Sequence, residues 1–149
     1  MDKIIQLCQE VGDELGKGYS ENVYQEGIAV LLRRECIDYS KEVTLGIKFK
    51  ELVIGNVRAD IVLPKEQIII ECKAVDNDLK INCLPQLVNY LKITNYSQGL
   101  FVNFNQNPSK KMVEIITLQR CTFDETLYEV NRNDKEPVFI DHTGMIVTV

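Results

Sequence analysis

Apolar residues along this chain follow two periods. Ile4, Cys8, Val11 and Leu15 recur at helical spacing, which predicts an amphipathic helix over residues 3–15. Gly16-Lys17-Gly18 breaks it, and Ser20 can cap a second helix running to Arg34. The stripe of that second helix is Tyr24, Ile28, Leu31 and Leu32. At about 100° per residue, Glu21 falls in line with the stripe and not on the wet face. The period then drops to two. Val43, Leu45, Ile47 and Phe49 alternate, as in a strand with one buried face, and Lys50-Glu51 makes a turn. Residues 52–75, LVIGNVRADIVLPKEQIIIECKAV, read as two apolar strands joined at Pro64-Lys65-Glu66-Gln67. A third helix is expected over 83–93, with Pro85 in its first turn and a stripe of Leu84, Leu87, Val88 and Leu91. A strand over 99–104, a loop over 105–111 and a strand over 112–118 follow. The segment 122–149 is less patterned. Residues 131–137 are polar and turn-like, and 138–140 with 145–149 suggest a terminal hairpin around Asp141-His142-Thr143-Gly144.

The hairpin at the centre carries candidate chemistry. With four unpaired turn residues, Leu63 faces Ile68, and counting outward sets Asp60 opposite Glu71. Alternation then puts Arg58, Asp60 and Val62 on one face with Ile69, Glu71 and Lys73. The other face is Val57, Ala59, Ile61, Ile68, Ile70 and Cys72, so both faces are largely apolar near the middle, as in strands covered on both sides. Opposed β-carbons lie only about 4.5–5.5 Å apart. Two carboxylates that close repel, and one is pushed toward its neutral form unless a cation lies between them. Two facing acids with a lysine one step further match a divalent-metal site with a cationic helper.

Composition narrows the alternatives. A chain of 149 residues is one domain's worth. The net charge of −5 argues against coating nucleic acid by bulk electrostatics, though not against a local basic strip. Candidates for such a strip are Lys48, Lys50, Lys80, Lys92, Lys110 and Lys111. The five cysteines are scattered with no CxxC pair, which disfavours zinc and iron–sulfur sites and fits reduced thiols. No apolar run approaches the ~20 residues a bilayer span needs. The N-terminus lacks signal-peptide features, so an intracellular protein, not secreted and not membrane-bound, is expected.

Gly18-Tyr19-Ser20-Glu21-Asn22-Val23-Tyr24 fits a GxxExxY pattern. With Arg58-Ala59-Asp60, Glu71-Cys72-Lys73 and Gln86…Tyr90, the chain resembles the GxxExxY proteins, a branch of the PD-(D/E)xK nuclease superfamily close in motif to RecB-like exonucleases with their QxxxY element. The resemblance covers residues 3–118. It implies a restriction-endonuclease-like α/β (α+β) core in the order helix-β-β-β-helix-β, with a mixed sheet of four to five strands flanked by helices. The nuclease-like domain would be 1–121. Residues 122–149 would be an extension packing on the same domain or on a second subunit of a homodimer. The superfamily's proline before the aspartate is Ala59 here, and that proline is not a ligand.

By residue, the resemblance implies that Asp60 and Glu71 bind metal, with the Cys72 backbone carbonyl as a third ligand and Glu21 acting directly or through water. Lys73 would orient the attacking water or stabilise the phosphorane. Gln86 would position Lys73 or a phosphate, and Tyr90, Arg58 and Tyr24 would contact substrate. The implied function is Mg²⁺-dependent (Mn²⁺ as substitute) phosphodiester hydrolysis of nucleic acid, DNA before RNA, as in repair, recombination or processing. Two rivals stand beside it: a catalytically silent nucleic-acid- or protein-binding module of the same fold, and a plain ion-pair cluster in which Lys73 and Arg58 neutralise the acids. Cys72 and His142 are given no chemistry.

Overall fold

A computed structural model describes residues 1–80, 83–132 and 135–148. The helices are α1 (Asp2–Leu15), α2 (Glu21–Arg34) and α3 (Leu84–Thr94). The strands are β1 (Ser40–Phe49), β2 (Leu52–Leu63), β3 (Ile68–Lys73), β4 (Gln98–Phe104), β5 (Val113–Arg120), β6 (Leu127–Arg132), β7 (Val138–Asp141) and β8 (Ile146–Val147). All eight strands form one sheet in chain order. Every neighbouring pair is antiparallel except β3 with β4. Parallel neighbours need a crossover, and α3 supplies it.

The sheet is covered on both faces. On one side α1 and α2 pack Ile4, Leu7, Val11, Tyr24, Ile28 and Leu32 against Ile61, Ile70, Leu100 and Val102. On the other, Leu84, Leu87, Val88 and Leu91 of α3 meet Ile69, Phe101, Ile116 and Leu118. This mixed α+β architecture is the one expected, and each predicted helix lies within two residues of its predicted bounds. Among the described residues no helix is long and apolar enough to cross a membrane.

Two features depart from expectation. Among the described residues the sheet has eight strands, not four to five, because the tail continues it. Tyr128 and Val130 of β6 alternate inward onto the α3 side, and successive antiparallel pairs then pass the open edge outward. The terminal hairpin exists, but β6 was not anticipated. Residues 133, 134 and 149, which fell within the expected turn and hairpin, lie outside the described residues.

The second departure concerns the faces of β2. Ile61 and Leu63 pack on the α1/α2 side, as two-residue alternation from Ile68 and Ile70 requires. Ala59 and Val57 pack on the α3 side instead. Alternation slips at Asp60. Its partner position on β1 is Glu42, which sits at φ 52 and is skipped in the β1–β2 register, as is Ile54 near the hairpin tip, where the register shifts between Ile47 and Lys48. A left-handed residue in a strand bends it and re-aims its neighbours.

Candidate active site

The β2–β3 ladder follows the register expected from the turn: Leu63 pairs with Ile68, Val62 with Ile69 and Ile61 with Ile70. There it stops. Asp60 and Glu71 do not sit as a flat opposed pair, as the sequence suggested, because the strands part at this point. Their side chains fill the gap by interlocking. The Asp60 N–H donates to Glu71 Oε1 at 2.8 Å, and the Cys72 N–H donates to Asp60 Oδ2 at 2.8 Å. Each acid thus substitutes for a missing ladder bond and keeps its second oxygen uncommitted by these contacts. In a strand the N–H and C=O of one residue point to the same side, so the Cys72 carbonyl is directed toward the same gap.

Glu71 is buried and Asp60 half-buried. Burial, then the neighbouring Asp60 charge, push the Glu71 carboxyl up to about 8; its hydrogen bond from the Asp60 backbone and the Lys73 charge pull the other way. Asp60 is raised mainly by burial, opposed by the Cys72 N–H and by Lys73. Glu21, in the first turn of α2, is raised by burial and by Asp60 and lowered by Lys73. Three acids and one lysine therefore share a single field although they come from α2, β2 and β3. Among the described residues no ion pair ties Lys73 to an acid, so the plain ion-pair cluster is not what the structure contains.

The α3 residues close the other side of the gap. Tyr90 is buried, and its hydroxyl donates to the Arg58 carbonyl at 3.0 Å. Burial, Glu71 and Asp60 push that hydroxyl up to about 12, against a hydrogen bond with Gln86, so it stays a donor at neutral pH. Gln86 itself is exposed, as is Arg58, whose charge is a minor lowering influence on Asp60. The bond from the Tyr90 hydroxyl to the Arg58 carbonyl ties α3 to β2. Tyr90, expected from the resemblance to contact substrate, is buried with its hydroxyl on the β2 backbone.

Tyr24 calls for a correction. It is fully buried, stacked on Phe104 with centroids 4.5 Å apart, and its hydroxyl donates to the Gly16 carbonyl at 2.6 Å while accepting from Gln106 Nε2 at 3.0 Å. That placement leaves no surface for a substrate contact. The GxxExxY pattern therefore has a local physical reading. Gly18 adopts φ 107, which favours glycine. Tyr24 locks the junction from inside, and Glu21 between them, in the first turn of α2, feels the charges of Asp60 and Lys73.

Of the buried polar residues that sequence reasoning missed, two bond to backbone near the acids and Lys73. Gln25 donates from Nε2 to the Asp60 carbonyl at 3.3 Å. Its signal was available: it lies one turn after Glu21 on the same inward stripe. Asn103 accepts the Val75 N–H at 3.0 Å and donates to the Asn77 carbonyl at 3.3 Å, holding the segment after Lys73. Cys72 is fully buried with its thiol pushed well up by burial, and His142 is exposed on the β7–β8 turn. The six candidate lysines are all exposed, but Lys48 and Lys50 lie at the β1–β2 tip while Lys110 and Lys111 lie in the β4–β5 loop. They do not make one strip.

Oxygen donors with raised proton affinities are the donor type that Mg²⁺-like hard cations take. Among the described residues no three His, Cys, Asp or Glu side chains enclose an ion by themselves, so backbone carbonyl and water would have to complete the shell of Asp60 and Glu71.

A search of curated proteins finds no match. Among solved structures, one titled "Crystal structure of SSO0001" is similar at 22% identity with a TM-score of 0.47, covering 64% of this chain and 48% of that one. The family model described as PD-(D/E)XK nuclease superfamily matches residues 1–116, a span holding Glu21, Asp60, Glu71, Lys73, Gln86 and Tyr90 and leaving out β6, β7 and β8. By that match the chain belongs to the PD-(D/E)XK nuclease superfamily.

Proposed function

We propose that this chain is a metal-dependent nuclease of the GxxExxY branch that hydrolyses phosphodiester bonds of DNA. The observation carrying the proposal is the gap between β2 and β3, where Asp60 and Glu71 meet with raised proton affinities and Lys73 lies in the same field without an ion-pair partner among the described residues. Burying two carboxylates together is costly unless a cation compensates them. Nucleases of this superfamily generally use divalent metals.

Asp60 and Glu71 would hold Mg²⁺, or Mn²⁺ in its place, through their second oxygens, with the Cys72 carbonyl beside them and Glu21 through water. A bound ion of this kind supplies a lowered water pKa and polarises the phosphate oxygens. The remaining work falls to the chain. Lys73 places its ammonium against the non-bridging oxygens as charge develops in the transition state. It also holds the attacking water in line. Glu71, whose carboxyl is pushed up to about 8, would have to release its proton to serve as a ligand. Gln86 and Tyr90 keep β2 in place so that Asp60 meets that cation in one geometry.

A panel of labelled single- and double-stranded DNA and RNA oligonucleotides, incubated with Mg²⁺ or Mn²⁺, tests this reading. Wild type should cut DNA only with metal, and Lys73→Ala should remove cutting by 10²-fold or more, on the order expected for loss of one transition-state donor. Cutting that survives chelation or Lys73→Ala would refute it.

A further inference from the structure

Beside the acid gap, on the same face of the sheet, lies a second polar feature that the nuclease reading does not use. Lys73 pairs with Asn103, and Asn103 with Glu114, so the three form a row across β3, β4 and β5. Arg132 of β6 reaches back to that row: its guanidinium bonds Glu114 at 3.2 Å and donates to the Leu79 carbonyl. Around this pair is a cavity of about 170 Å³ whose lining includes Lys110, Lys111, Arg132 and Lys135 with Asp78 and Glu114. Four cations against two carboxylates give a positive cleft on a chain whose net charge is −5.

The cleft is built, not a chance meeting of surface lysines. Lys17 Nζ donates to the Asn105 carbonyl at 2.6 Å and the Lys110 carbonyl at 3.2 Å, and Gln106 Oε1 accepts the Gly18 N–H at 2.7 Å. The junction between α1 and α2 thus fixes the loop that carries Lys110 and Lys111. Two strand spacings separate Lys73 from Glu114, about 10 Å, a distance that falls within a few nucleotides of one DNA strand. Two of the four cations, Arg132 and Lys135, belong to the tail beyond the family match.

We propose that the cleft between the β4–β5 loop and β6 binds backbone phosphates of the nucleic acid a few nucleotides from the bond cut at Lys73, so that the C-terminal extension completes the substrate-binding surface. This rests on the nuclease reading for the identity of the substrate, but its test does not depend on cleavage.

The test is the salt dependence of binding of a fluorescent DNA oligonucleotide, measured in chelator so that it is not cut. The variant is Lys111→Gln/Lys135→Gln; both residues are exposed. The control is Lys3→Gln/Lys65→Gln, which removes the same charge from lysines paired at the surface with Glu35 and Asp38. Each phosphate contact contributes about 0.9 to the slope of log affinity against log salt. The cleft variant should bind more weakly, with a slope shallower by about 1–2, and the control should keep the wild-type slope. Equal slopes in both variants, or no binding by wild type, would overturn the proposal. A slope that falls as stated in a protein that cuts nothing when Mg²⁺ is added would uphold the cleft and refute the nuclease reading.

Discussion

Glu71→Gln isolates the electrostatic cost of the site. The amide oxygen can still accept the Asp60 N–H that Glu71 Oε1 accepts now, so shape and that hydrogen bond are kept while the charge is removed. Glu71 rises from 4.5 to about 8 on folding. The folded state therefore holds a proton that the unfolded chain has already released, and stability falls as pH climbs from about 4.5 to about 8. At about 1.4 kcal/mol per pH step, the ceiling is roughly 4–5 kcal/mol. The repulsion is shared with Asp60, which leaves about 2–4 kcal/mol as the gain expected from the substitution at pH 8. Urea unfolding in chelator, at pH 5.5 and pH 8, reads it directly. The variant should exceed wild type at pH 8 by that amount, and the gap should shrink to about a third of it at pH 5.5. Added Mg²⁺ should narrow the gap at pH 8, since only wild type gains a tight ligand. A variant less stable than wild type at pH 8, or a gap that does not change with pH, would mean that Glu71 is not a strained acid.

Gly12→Ala should lower stability by about 1–3 kcal/mol in urea unfolding, despite a helix-propensity gain of about 1 kcal/mol, because the new Cβ would lie 2.2 Å from Val113 Cγ2. Tyr24→Phe should cost about 1–2 kcal/mol by the same measurement, since the Gly16 carbonyl and the Gln106 amide lose a partner, and it should leave calorimetric Mn²⁺ binding unchanged. Tyr90→Phe should lower kcat for oligonucleotide cleavage by roughly tenfold with little change in KM, the pattern of a lost positioning contact; a change in KM alone would return Tyr90 to substrate contact.

The parts of this fold that could be read from the sequence are those where the side-chain period is unbroken. The three helices and the pairing of Leu63, Val62 and Ile61 with Ile68, Ile69 and Ile70 follow from apolar spacing and turn length alone. The error begins one residue later. A glutamate at φ 52 carries no sequence signal, yet Glu42 is skipped opposite Asp60, where strict alternation ends and the β2–β3 ladder has stopped. Gathering Glu21, Asp60, Glu71 and Lys73 in one field was legible because each lies on an inward or shared face. Tyr24 was misjudged because a tyrosine beside a candidate acid resembles a ligand contact, while its stacking on Phe104, eighty residues away, is invisible locally. Gln25 and Asn103 bond to backbone across the fold, and such partners are set by tertiary position. Strand β6 went unseen because only Tyr128 and Val130 carry its alternation.

Calorimetric titration with Mn²⁺ tests the centre of this account most directly, on wild type, Asp60→Ala and Lys73→Ala. One saturable site should appear in wild type and persist in Lys73→Ala, and it should vanish in Asp60→Ala. Absence of a saturable site in wild type, or its survival without the Asp60 carboxylate, would contradict the assignment of the β2–β3 gap as a metal-assisted hydrolytic centre.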